Sequence, residues 1–224
     1  MKKLFLFVGP AKTLTSVLEK SADKYSELIL PKMKETHFLS QDFLVKSYYK
    51  DIIPSYKKRL GIGEKFYDHF EKEFEKKNFA EFCPSYILSK QAMKYCKSKK
   101  NIYPIITYRD PKKRCISHFL MDKRLGLNKN SSIEKSINSS ADFYQQYFCL
   151  SDYDFLIKKW LKFSDNLLIL DPIKKKIYGL DNGLNHEKKI VAEIIISLCN
   201  NLEKLEINKG FNINNNFLKK IYKL

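Results

Sequence analysis

Short apolar runs alternate along this chain with longer segments of helical spacing. Residues 4–8 form a continuous apolar run, the pattern of a parallel strand covered on both faces. Val17, Leu18 and Ala22 recur at helical spacing and predict a helix from Thr15 to about Tyr25. A short apolar segment at 27–30 reads as a second strand. Residues 41–77 are charged and aromatic with helical spacing, and Phe66, Phe70 and Phe74 at i, i+4, i+8 read as core-facing. Further strands are predicted at 79–82, 102–108 and 166–170, the last ending at Asp171. Helices are predicted at 87–97, from Pro111 onward, in a short piece at 133–137, at 153–163 around Trp160, and at 186–204. An Asn-rich loop at 208–216 leads to a closing helix at 217–224. Strands alternating with helices predict an α/β fold: a three-layer sandwich with a central, largely parallel sheet, built as a single domain over residues 1–224.

Composition changes this picture in two respects. Lys and Arg outnumber Asp and Glu by 17. Such a balance suits phosphate esters, sulfated or acidic sugars, nucleic acid or an anionic membrane, although Lys is frequent throughout the chain. The five cysteines, Cys83, Cys96, Cys115, Cys149 and Cys199, are odd in number and include no C-x-x-C pair. That argues against a disulfide framework or a zinc site and fits a reducing compartment. The histidines, His37, His69, His118 and His186, also lack metal-ligand spacing. The opening MKKLFLFVG has too short an apolar run for a signal peptide, and no stretch has the length of a membrane span. The expectation is a cytoplasmic protein.

Two turns carry candidate chemistry. The first is G-P-A-K-T-L-T-S, Gly9 to Ser16, between the first strand and the first helix. A strand that ends in a tight turn and opens a helix gathers backbone N–H groups and the positive helix end, and Lys12 adds a full charge. This is an anion site, although a Walker A loop would need a second Gly. The ordinary alternative is a helix start capped by Thr13 or Thr15. The second turn runs from Tyr108 to His118. Arg109 stands at the carboxyl end of a strand, where open α/β sheets bind ligands, and Ser117 follows two helical turns later. Arg forks onto phosphate oxygens and keeps its charge, so the pair can share an anion.

Together these segments resemble the sulfotransferases that use 3′-phosphoadenosine 5′-phosphosulfate (PAPS), in particular the bacterial and heparan-sulfate-type branch. Pro10-Ala11-Lys12-Thr13-Leu14-Thr15-Ser16-Val17-Leu18 resembles the family's P-x-K-[ST]-G-T-[ST]-x-L loop, which holds the donor's 5′-phosphosulfate. Arg109-Asp110-Pro111-Lys112-Lys113-Arg114-Cys115-Ile116-Ser117 fits R-D-P-x-x-R-x-x-S, which holds the 3′-phosphate. Lys34-Glu35-Thr36-His37-Phe38 is similar to K-E-x-H-[FY], whose Glu is the usual base. Glu81 to Leu88 is similar to G-E-x-S-P-x-Y-L, and Tyr153 to Leu170 to a Y-x-x-x-L-x-x-W-L helix with its following strand. The likeness spans residues 3 to about 171. It implies donor binding by Pro10, Ala11, Lys12, Thr13, Leu14, Thr15, Ser16, Arg109 and Ser117, and catalysis by Lys12, Glu35 and His37, with His37 either a site residue or a packed one. Leu14 replaces the loop Gly, which implies weaker donor binding or an altered loop. Phe82 stands where related enzymes often carry a second catalytic Lys, a role for which Lys34 is a candidate.

The implied activity is in-line sulfuryl transfer from PAPS to a hydroxyl or amine, with a carbohydrate as the expected acceptor and segments 38–75 and 120–150 as candidate pocket walls. The positive charge favours an anionic sugar or polysaccharide. No metal is required on this reading, because Lys, Arg and helix ends supply the charge. The runner-up is a P-loop-like ATP-dependent kinase, supported by the apolar strand ending at Asp171. A catalytically degenerate relative or a nucleic-acid-binding protein would also carry these features, although no known nucleic-acid module matches.

Overall fold

The computed structural model describes residues 2–44, 77–178 and 186–199. The aromatic stripe at Phe66, Phe70 and Phe74, most of segment 38–75, and the loop and helix expected at 208–224 lie outside these residues.

Six strands form one sheet: β1 (Leu4–Gly9), β2 (Leu28–Ile29), β3 (Asn78–Phe82), β4 (Ile102–Thr107), β5 (Leu168–Asp171) and β6 (Lys176–Tyr178). Their spatial order is β2-β3-β1-β4-β5-β6. All pairings are parallel except β5 with β6, a short antiparallel edge that the apolar pattern did not predict. Eight α-helices accompany them among the described residues: α1 (Thr15–Ala22), α2 (Gln41–Leu44), α3 (Lys90–Ser98), α4 (Pro111–Arg124), α5 (Ile133–Ser139), α6 (Ala141–Tyr147), α7 (Tyr153–Leu161) and α8 (His186–Ser197). The expected helix at 87–97 divides into a 3₁₀ turn, Pro84–Leu88, and α3, because Ser89 takes an extended backbone and caps α3 by accepting from the Ala92 N–H. The residues expected to extend α8 to 204 lie beyond the described ones, which end at 199.

Strand β1 explains the three layers. Its side chains alternate, and all of them are buried. Leu4, Leu6 and Val8 enter one core with Met93 of α3 and Leu156 and Trp160 of α7. Phe5 and Phe7 enter a second core with Leu18 and Ala22 of α1 and Val191 and Ile195 of α8. A strand buried on both faces must read as a continuous apolar run, which is how residues 4–8 read. A smaller cluster joins Cys115 of α4, Ile133 of α5 and Tyr147 of α6 beside the carboxyl end of the sheet. All five cysteines are free thiols. No helix among the described residues is long and apolar enough to cross a membrane.

The helix starts differ in their caps. In α3, α4, α5, α6 and α7 a Ser or Asp side chain accepts a first-turn N–H: Ser89, Asp110, Ser132, Ser140 and Asp152. Helix α1 has Leu14 at its N-cap and no side-chain cap. Its orphan N–H groups face the carboxyl end of β1, at the centre of the sheet.

Candidate functional site

Gly9 ends β1 at φ 104, and a Cβ there would lie 2.6 Å from the Pro84 carbonyl oxygen. Only Gly fits this left-handed position with the backbone of the 84–88 turn pressed against it. Beyond the cis Gly9–Pro10 bond, Lys12 (φ 73) and Leu14 (φ 69) are left-handed, with Thr13 between them at negative φ. Alternation of this kind turns successive N–H groups toward one concavity, the geometry of an anion nest. The matching carbonyls point outward, and two arginines of the second turn hold them. The Arg109 guanidinium donates to the Lys12 carbonyl at 2.8 Å, and that of Arg114 to the Ala11 carbonyl at 3.3 Å.

Thr13 is fully buried, and its hydroxyl is turned into the sheet. It donates to the Pro10 carbonyl at 2.7 Å and lies against the Thr107 hydroxyl at the end of β4, so only its backbone faces the concavity. Ser16 is exposed on the first turn of α1 and accepts from Lys34 Nζ at 2.6 Å. Lys34 also pairs with Glu19 Oε2 at 3.2 Å. The lysine that could replace the missing one at position 82 thus reaches the first turn of α1. Phe82 itself is buried and stacks on Phe7 with centroids 4.0 Å apart, on the core side of the sheet.

Lys12 reaches over α4, with Nζ 3.6 Å from Met121 Sδ. Burial lowers its pKa from the usual lysine value; Arg124 and Arg109 lower it further, and Asp122 and Glu35 oppose them. Lys12, Arg109 and Glu35 therefore share one electrostatic neighbourhood. Ser117 is half-buried on α4 one turn before Met121, on the face that Lys12 covers. Arg114 is fully buried. Its Nε donates to Ser151 Oγ at 2.6 Å, and its Nη2 to the carbonyls of Gln146 and Tyr147 at 2.5 and 2.9 Å. It joins the first turn, α4 and the end of α6 through one planar group.

The segment 34–40 crosses the carboxyl ends of the strands as a strap. Lys34 touches α1 on one face of the sheet, while Phe38 and Leu39 enter the core on the other. Glu35 (φ 50) and His37 (φ 55) are both left-handed. His37 is wholly buried, with Nδ1 2.8 Å from Ser85 Oγ and 3.1 Å from Ser40 Oγ. Its Nε2 lies 3.9 Å from Glu35 Oε2, so this histidine is both packed and in contact with the candidate base. Beneath them Glu81 of β3 is 1 % exposed and accepts from Thr36 Oγ1 and, at 2.8 Å, from Tyr86 OH. Burial pushes its carboxyl up to about 7, against the pull of those hydrogen bonds, and Glu19 adds to the rise.

Glu81 and Arg114 were legible only as letters in motifs, without roles. The sequence signal for Glu81 was a charged residue inside an apolar run, whereas Arg114 follows two lysines in a basic helix start and gave none. Asp171, the kinase-like strand end, accepts from the N–H groups of Ile173 and Lys174 at 3.1 and 3.0 Å. It shapes the turn into β6, and β4 separates its strand from β1. No cluster of three or more metal-ligating side chains occurs among the described residues.

No protein-family model matches the sequence, and no curated protein is detectably similar to it. Among solved structures, a sulfotransferase from Alicyclobacillus acidocaldarius aligns over 100% of this chain and 92% of its own, with a TM-score of 0.64 at 14% identity. That likeness is one of fold. A shikimate kinase from Bacteroides thetaiotaomicron covers 91% of this chain and 99% of its own at TM-score 0.37 and 12% identity. A GTPase in apo form from Pyrococcus abyssi covers 86% and 96% at TM-score 0.33 and 14% identity.

Proposed function

We propose that this chain, acting as a single domain, is a PAPS-dependent sulfotransferase that modifies a hydroxyl or amine of a carbohydrate, with an anionic sugar as the preferred acceptor. The observation that carries the reading is the junction of the two turns at adjacent strand ends, where Arg109 grips the Lys12 carbonyl beside an uncapped helix start. A donor with phosphate at both ends of its nucleotide fits a site with two cationic turns. The sulfotransferase fold of the Alicyclobacillus protein supports the same reading.

The donor supplies the sulfuryl group and a phosphate leaving group. The nest N–H groups of residues 12–16 and the Lys12 ammonium stabilise negative charge as the sulfur–oxygen bond to that phosphate breaks. Burial and two neighbouring guanidiniums lower the lysine's pKa, so it gives up a proton more readily than a surface lysine. Arg109 and Ser117 hold the 3′-phosphate. Glu35 takes the proton as the acceptor oxygen or nitrogen bonds to sulfur, and adenosine 3′,5′-bisphosphate leaves. His37 Nε2 lies 3.9 Å from the Glu35 carboxylate on its buried side.

The test is transfer of radiolabelled sulfate from PAPS to a panel of sugars. Glu35→Gln should lower the rate about 10²–10⁴-fold, the usual range for a lost general base. Lys12→Ala should lower it by at least ~10²-fold, as for a lost oxyanion donor. Full activity in both variants would refute these roles.

A further inference from the structure

The strap that carries Glu35 has no regular secondary structure between Lys34 and His37, yet it holds two left-handed non-Gly residues in four positions. Such backbone is costly and persists only where the surroundings over-determine it. The hydrogen bonds around it converge on one atom. Thr36, which separates Glu35 from His37, donates to Glu81 Oε1, and Tyr86 OH donates to the same oxygen at 2.8 Å. Each hydroxyl then accepts a strap N–H: Thr36 Oγ1 from Phe38 at 3.3 Å, and Tyr86 OH from Leu39 at 3.2 Å. Glu81 itself is fixed by the sheet, in register with Leu6 of β1. The 84–88 turn that brings Tyr86 is pinned in turn by the Trp160 indole, which donates to the Ile87 carbonyl at 3.1 Å.

We infer that Glu81 is the positioning residue for the Glu35 base: its buried carboxylate orients Thr36 and Tyr86, and through them fixes the strap backbone that aims Glu35 at the acceptor. Glu81 lies under the strap and touches neither donor nor acceptor. The inference rests on the sulfotransferase reading for its kinetic consequence but not for its structural one. A buried carboxyl in a strand is costly unless its hydrogen bonds return something, and here its side-chain donors, Thr36 and Tyr86, belong to the scaffold of the strap. A Gln at the same place keeps one acceptor oxygen but brings an N–H₂ group with no acceptor waiting for it.

The experiment compares the wild type with Glu81→Gln and Tyr86→Phe in the full-length chain. Amide hydrogen exchange at Phe38 and Leu39 should rise by roughly tenfold or more in Glu81→Gln, while amides of β1 and β4 keep their protection. In transfer assays kcat should fall by roughly tenfold or more with KM for PAPS within about twofold of wild type, and Glu81→Asp should recover part of the loss. Tyr86→Phe should give the same split on a smaller scale, and it carries the test if Glu81→Gln does not fold. Wild-type exchange and kcat in these variants would overturn the inference. So would parallel loss of kcat and of adenosine 3′,5′-bisphosphate binding, which would show collapse of the whole site. If the wild type transfers no sulfuryl group, the reading of function fails, and the exchange data still decide whether Glu81 orders the strap.

Discussion

The loop of residues 10–16 and the strap of residues 34–40 lie at the same end of the sheet, and both contain two left-handed non-Gly residues, but they are held by different means. The loop is held from outside by permanent cations: Arg109 and Arg114 grip its carbonyls, and its N–H groups are left to face inward. The strap is tied from beneath to a buried carboxyl through two hydroxyls, beside the His37 contacts with Ser85 and Ser40. A guanidinium keeps its charge at every accessible pH, whereas a buried carboxyl titrating near 7 does not. The carbonyls of the loop are therefore held by groups of constant charge, whereas the strap is tied to a group that titrates.

The largest expected effect breaks the first half of that comparison. Arg114→Ala removes the guanidinium that donates to the carbonyls of Ala11, Gln146 and Tyr147, leaving the last with Ser151 Oγ. Charge-assisted hydrogen bonds of this kind are worth about 1.5–3 kcal/mol each, and the loss should total at least ~3 kcal/mol in urea denaturation. Arg114→Lys, which lacks the fork, should recover less than half of it.

Glu81 is raised in the folded state, so between its unfolded and folded values the native protein binds the extra proton. Its contribution to stability is fully present below the unfolded pKa and is lost as pH rises toward about 7. A tenfold difference in proton affinity between the two states corresponds to about 1.4 kcal/mol, so the stability difference between wild type and Glu81→Gln should move by about 3 kcal/mol in favour of Gln from pH ~4.5 to pH ~8. Urea midpoints across that range measure it, and a difference independent of pH would refute the titration of Glu81.

The smallest effect sharpens the contrast within the loop. A left-handed backbone costs a residue with a Cβ about 1–2 kcal/mol, and Leu14 bears that cost at φ 69. Leu14→Gly should gain up to ~1 kcal/mol of stability once lost side-chain contact is subtracted, with tighter binding of adenosine 3′,5′-bisphosphate. The corresponding change in the strap, His37→Gly, should destabilise, because the His37 ring is buried among hydroxyls.

The strands and the turn between β1 and α1 were legible in the sequence because their physics is local. Continuous apolar runs mark strands covered on both faces, and a Gly-Pro turn with Lys and hydroxyls marks a helix start. The position of Leu14 was legible as a departure from Gly, and the structure gives the reason as its positive φ. Thr13 was less legible: a hydroxyl beside a lysine reads as a ligand group, but its long-range partner is Thr107. Edge strand β6 escaped notice because Lys176 to Tyr178 is short and half polar, and its pairing depends on the turn that Asp171 sets. The Glu81 hub escaped because its partners, Thr36 and Tyr86, lie 45 and 5 residues away. No local pattern announces such a convergence.

The most direct test of the central claim is calorimetric titration of the protein with adenosine 3′,5′-bisphosphate, adenosine 5′-monophosphate and ATP–Mg²⁺, repeated with Arg109→Ala. Two cationic turns joined through the Lys12 carbonyl predict that the bisphosphate binds at least ~10-fold tighter than the monophosphate, a difference of about 1.4 kcal/mol, and that Arg109→Ala erases the advantage. Tight binding of ATP–Mg²⁺ with indifference to the 3′-phosphate would contradict it.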